Sequence, residues 1–225
     1  MLQSEDKPMT GQESLALITQ MIRKAKQSYY DTGISAIMWG SVVAFCSLEK
    51  LAELHFGYRL PFDIYLLTFA AVIPQLIFSA REKKEKKARS FDDPYLDYIW
   101  TGFGISIFLM VLVVNVITRT WGQVMVEIDK TAPVADRWWI QEFISPLFLL
   151  LYGIPTFITG AATRLRAMLW GGLFCWACCI ITLFTSFKID LLLTAASAVM
   201  AWLIPGIIME RQYRQFRRKQ QIQDV

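Results

Sequence analysis

Three carboxylates fall within six residues at Asp92, Asp93 and Asp97. Oxygen ligands of this kind hold magnesium against phosphate groups, so the cluster is the natural start for a lipid-modifying enzyme acting on diphosphates. Such an enzyme needs a second acidic cluster on the same side of the membrane. The corresponding stretch, Ala162–Met168, holds two arginines and no acid. Asp-Asp-Pro is also an ordinary helix start, because acids favour the helix N-terminus and proline suits its first turn. The helix start is the preferred reading, and no enzyme is expected.

A second group is Glu49, Glu53 and His55, with Arg119 and Glu142 expected at the same level. Together they could bind a cation or form a gate; solvated interfacial charges are the preferred reading. Cys175 and Cys178 have redox or metal spacing. They lie in the middle of an apolar run with only Cys179 beside them and no histidine nearby. A thiolate there is poorly activated, so these are read as small packing residues. The single histidine excludes His-rich metal sites. Nothing in the chain calls for a metal or a cofactor.

The elements that carry these residues are apolar blocks. The chain is 55% hydrophobic, with a mean hydropathy of +0.38. Its apolar residues are gathered in stretches of about 20 separated by charge, and such a stretch is long enough for a helix to cross a bilayer. Six blocks are predicted: Gly33–Leu48 (continuing towards Leu54), Phe62–Ala80, Tyr98–Thr118, Phe143–Thr163, Ala167–Phe187 and Leu191–Met209. Backbone groups in lipid must be satisfied within the segment, which favours helices. The expected fold is therefore all-α, a polytopic helical membrane protein.

An Ile-Pro step recurs at Pro74, Pro155 and Pro205, each a few residues before basic residues. Each is preceded by Trp39-Gly40, Trp100-Thr101-Gly102 or Trp170-Gly171. Trp39 to Pro74 and Trp170 to Pro205 both span 35 residues, whereas Trp100 to Pro155 spans 55. One helical hairpin is thus written three times, over 33–80, 96–163 and 167–209. The middle copy carries an outer insertion at 119–139 that either extends the third helix or forms a lid. Proline in a helix frees the carbonyl four residues earlier, here those of Ala70, Leu151 and Ala201. With Trp39, Trp100 and Trp170 at similar depth, the three kinks could line a cytoplasm-facing cavity or simply shape the packing. Mitochondrial carriers also have three proline-bearing hairpins. Theirs lie on odd-numbered helices and are followed by an acid and then a base. Here the even helices carry proline, followed by Gln75, Thr156 and Gly206.

Charge sets the orientation. With the N-terminus inside, the cytoplasmic segments hold 17 Lys and Arg and the outer segments 6. Both termini are therefore expected in the cytoplasm, in a bacterial inner membrane. Residues 1–32 read as a polar lead and an amphipathic helix, with Leu15, Ile18, Ile22, Ala25 and Tyr29 on one face. This helix suits the inner leaflet and its anionic lipid. Residues 210–225 form a basic tail. The basic run at 81–89 has no stacking or base-reading residues, so no nucleic-acid partner is expected.

No acid or base is expected in the middle of a span, which argues against proton-coupled transport and intramembrane proteolysis. The expected role is that of an accessory or regulatory membrane protein, acting through a protein partner or a second copy. The alternative is a small transporter or channel for a neutral or apolar solute.

Overall fold

A computed structural model describes residues 11, 14–15, 32–85, 93–131 and 140–223. Every regular element among them is helical. The helices are α1 (Ile34–Phe56), α2 (Leu66–Glu85), α3 (Asp93–Thr131), α4 (Ile140–Ala162), α5 (Arg166–Thr182), α6 (Phe187–Ala198) and α7 (Ile204–Gln223). A five-residue π turn, Val199–Leu203, joins α6 to α7. Of the amphipathic helix expected within 1–32, residues 11, 14–15 and 32 are described, with 11, 14 and 15 helical, and the rest and the connector 86–92 lie outside the described residues. So do residues 132–139 of the outer insertion; its first part, through Thr131, continues α3 as helix.

Among the described residues, four helices are long and apolar enough to cross a membrane: Ile34–Phe56, Tyr95–Gly122, Phe143–Ala162 and Phe187–Gln215. The apolar parts of α2 and α5, Leu66–Arg81 and Arg166–Thr182, are shorter.

Local signals mark the boundaries. Gly33 and Gly57 flank α1 with φ of +69° and +73°, a region that costs a side-chain-bearing residue far more than glycine. The Gly57 N–H closes the helix on Glu53 O at 2.9 Å. α3 begins at Asp93-Pro94, as an acid and a proline favour. Arg164 takes φ of +55° in the turn between α4 and α5. The Ser186 carbonyl accepts the first α6 bonds, from Ile189 N–H at 2.8 Å and Asp190 N–H at 3.1 Å.

Packing divides the helices into a centre and two outliers. α4 lies along α5, and α1 lies along α6, the π turn and α7. Val43, Ala44, Cys175, Ala195, Ala198, Ala201 and Trp202 form the buried core. Small residues let these backbones meet. A Cβ on Gly40 would stand 2.6 Å from Leu203 N, and one on Gly171 would stand 2.6 Å from Ala201 Cα. A Cβ on Gly172 would come within 2.8 Å of Phe157 N.

α2 and α3 stand outside this centre. Among the described elements, the α2 backbone approaches only α1, and the α3 backbone only α4. None of the apolar window of α3 is buried. A half-buried stripe, Trp100, Phe103, Ile107, Val111 and Val114, leans towards α4 at helical spacing. The opposite face, from Tyr98 through Phe108 and Leu112 to Val116, is open. At about 1.5 Å per residue, its 39 residues make a rod of about 58 Å, against a hydrocarbon core of about 30 Å.

Candidate functional site

The site is the contact between two proline-bearing helices. Pro205 cannot donate to Ala201 O, and the chain absorbs this as a wide turn just ahead of it. Ile204 N–H reaches back five residues to Val199 O, which is the π pattern and recurs at functional positions in helices. Trp202, in the turn, is 3% exposed. Its Nε1–H donates to Thr156 Oγ1 at 2.8 Å, and the Thr156 hydroxyl donates to Tyr152 O at 2.7 Å. Thr156 immediately follows Pro155, so the second and third Ile-Pro steps are joined by one hydrogen-bonded tryptophan.

Aromatic rings surround this bond. Tyr152, Phe103 and Trp100 lie 4.7, 6.1 and 6.4 Å from the Trp202 ring, centroid to centroid. Most of these contacts are tilted or edge-on, the arrangement that aligns a ring's positive edge with its neighbour's negative face. Trp100 Nε1–H donates to Thr159 Oγ1 at 3.1 Å, which pins α3 to α4 near its start.

The three proline steps share a design at the following residue. Gln75 accepts from Trp39 Nε1–H at 3.1 Å, and Thr156 accepts from Trp202. Gly206 packs on the start of α1: a Cβ there would meet Ile37 N at 2.8 Å and Gly33 O at 3.0 Å. Their surroundings differ. Pro155 and Pro205 are fully buried, whereas Pro74 is half-buried on α2 between the exposed Ile73 and Gln75's neighbour Leu76. Trp39 and Trp100 are half-buried, but Trp170 is 66% exposed. The Trp-Gly signals are therefore not equivalent: Gly40 and Gly171 are gripped by the π turn, and Gly102 has nothing within 4 Å.

Of the aspartate candidates, Asp97 alone has a described side chain. Asp92 lies outside the described residues, as does the Asp93 side chain at the first position of α3. Asp97 is exposed, and its carbonyl accepts from Thr101 Oγ1 at 2.7 Å. In the outer group, Glu49 and Glu53 organise the loop after α1. Tyr58 O–H points at both Glu49 oxygens, at 2.7 and 2.8 Å. Glu53 accepts from Leu60 N–H at 2.8 Å and from Lys50 Nζ at 2.6 Å. His55 is exposed and packs edge-on against Phe56. Arg119 is exposed on α3, whose backbone does not approach α1; the Glu142 side chain lies outside the described residues. Among the described residues, no three His, Cys, Asp or Glu side chains are grouped to hold a metal. All four cysteines are free, and Cys46, Cys175 and Cys178 are buried.

The Glu49 carboxylate accepting from Tyr58 holds the phenol above its ordinary pKa, since ionising it would set two negative charges together. A raised folded-state pKa contributes stability below the unfolded value near 10 and loses it as pH rises through the folded value. The difference in ultraviolet phenolate absorbance between the parent and Tyr58→Phe should titrate above pH 10. Glu49→Gln should return that titration towards 10; no movement would mean the pair does not form.

One residue escaped the sequence reading. Asp190 is 0% exposed, inside a helix expected to start at Leu191 and to carry no buried acid. The helix begins at Phe187 instead, which draws Asp190 into its first turn. Thr185 Oγ1 donates to Asp190 Oδ1 at 2.6 Å, and Thr194 Oγ1 donates to the Asp190 carbonyl at 2.8 Å. The available signal was Thr185-Ser186 ahead of an acid, the order that starts a helix.

No protein-family description, curated protein or solved structure matches this chain.

Proposed function

We propose that the chain is an integral membrane protein of six spans, arranged as the hairpins 33–80, 96–163 and 167–209. Both termini lie on the cytoplasmic side of a bacterial inner membrane. It acts without a catalytic step, as an accessory or regulatory protein that holds a partner or a second copy against α3. The observation that carries this is α3 itself, a span-length apolar helix attached along a single stripe. Asn115 lies on its open surface, with Nδ2 donating to Val111 O at 2.9 Å. A polar amide in an apolar, exposed span is a hydrogen-bonding group for a neighbouring helix.

The six-span count draws support from the chain around the two short helices. Phe62 and Ile64 precede α2, and Leu183 and Phe184 follow α5. Phe184 is 85% exposed, as a lipid-facing residue is. With these additions both segments approach the length of about 20 that a span requires. The transporter reading has weaker support, because Pro155, Thr156, Trp202 and Pro205 fill the space between their helices.

A photo-crosslinking residue at Leu112 or Val116 tests the proposal in native membranes. It should give a protein adduct of defined mass from either position. The same probe at Leu149, which is fully buried, should give none. Lipid adducts alone from the α3 positions would overturn the partner reading.

A further inference from the structure

We infer that the cytoplasmic ends of α1 and α7 form a binding site for the phosphodiester headgroup of an anionic phospholipid. The inference rests on the membrane reading above. A shallow depression of about 330 Å³ opens there, lined by Thr32, Ile34, Glu210, Tyr213, Arg214 and Arg218. Glu210, Arg214 and Arg218 recur every four residues, which sets them on one helical face. Thr32 and Ile34 supply the opposite wall from the start of α1.

Three observations select the ligand. The first is depth. The apolar stretch of α1 begins at Ile34, and that of the last helix ends at Met209, one residue before Glu210. The depression therefore lies where two apolar helices end, at headgroup level. The second is the order of its walls. Ile34 is an exposed apolar residue at 39%, and the arginines lie towards the end of α7. That order follows a lipid from acyl chain to phosphate. The third is charge. Arg214 spends its Nε, at 3.0 Å, and one terminal nitrogen on Glu210 Oε1. The lining carries two arginines and one glutamate, a net charge of +1. One positive charge matches a phosphodiester better than a doubly charged phosphomonoester. Glu210 also holds Arg214 in place, so less side-chain freedom is lost on binding.

The test uses the full chain reconstituted in bilayers of phosphatidylcholine with phosphatidylglycerol. Retention in membranes after alkaline carbonate is scored first; release at this step is failure of the membrane reading, seen before any lipid is counted. The protein is then extracted mildly, and co-purifying lipid is counted by mass spectrometry. Phosphatidylglycerol should be enriched over its bulk fraction. Arg218→Gln should lower that enrichment about fivefold, the expected weight of one cation beside an anionic surface. Arg211→Gln removes a charge from the same helix outside the depression and should change it little. Monodisperse elution of both variants verifies folding. Equal losses in the two would show a diffuse basic surface and overturn the site. Loss of bound phosphatidylglycerol on adding millimolar inorganic phosphate would assign the depression to soluble phosphate and overturn the lipid.

Discussion

Gly40→Ala and Gly171→Ala should each destabilise the protein by about 1–3 kcal/mol, the range for overpacking a filled interior. Together they should cost more than either alone. The added methyl at position 40 would stand 2.6 Å from Leu203 N, and that at position 171 would stand 2.6 Å from Ala201 Cα. Both obstacles are backbone, so neither can be relieved by a change of side-chain rotamer. Both also lie on the π turn, and α1 and α5 would each have to retreat from it. Gly102→Ala supplies the contrast. It stands in the same Trp-Gly signal but meets nothing within 4 Å. An alanine there should be neutral or stabilise by up to about 1 kcal/mol through helix propensity alone. The measurement is the unfolding midpoint in a mixed-detergent titration. Equal responses at positions 40 and 102 would contradict the packing described.

Trp202→Ala should cost roughly 3–5 kcal/mol, the range for removing a large aromatic from a filled core. It empties the centre of the ring cluster and deprives Thr156 of its donor. Trp202→Phe retains most of the ring and should cost far less. The cost of the hydrogen bond itself is about 0.5–2 kcal/mol between helices in a membrane. Thr156→Val isolates the same bond from the other side. A double-mutant cycle of Trp202→Phe with Thr156→Val should show coupling, because the second change has no bond left to break. Strict additivity would mean that the 2.8 Å contact contributes nothing. Trp170→Ala, on an exposed ring, should have little effect on stability by comparison.

Much of this architecture is legible in the sequence, for a physical reason. An apolar block bounded by charge fixes a helix almost wherever it packs. The blocks at 143–163 and 167–187 accordingly correspond to α4 and α5 to within a few residues at most ends. Proline positions are equally legible, since a missing N–H is local. The packing is not. A lipid-facing leucine and a buried one are chemically alike, so hydropathy does not reveal that α3 leans on α4 and Trp202 along one stripe only. It does not separate Gly40 from Gly102 either, because that difference lies in the helix opposite. Asp190 was hidden by a boundary: an end misplaced by four residues turns a buried carboxylate into an apparent flank. The contact between Thr156 and Trp202 spans 46 positions and has no local trace beyond the residue types.

The π turn also sets a direction. Each residue of an α-helix advances about 100° around the axis. A turn that fits one additional residue rotates everything after it by about that angle relative to an uninterrupted helix. Arg214 and Arg218 face the start of α1 because the turn absorbs this added residue, some ten positions upstream. Rewinding 199–203 as ordinary α-helix with every residue retained would swing the basic face by that angle, whereas deleting one residue there would restore the ordinary winding and leave Arg214 and Arg218 facing the start of α1. The register of the last helix thus depends on how the turn before it is wound, and the aim of the basic C-terminal segment rests on that winding as much as on composition.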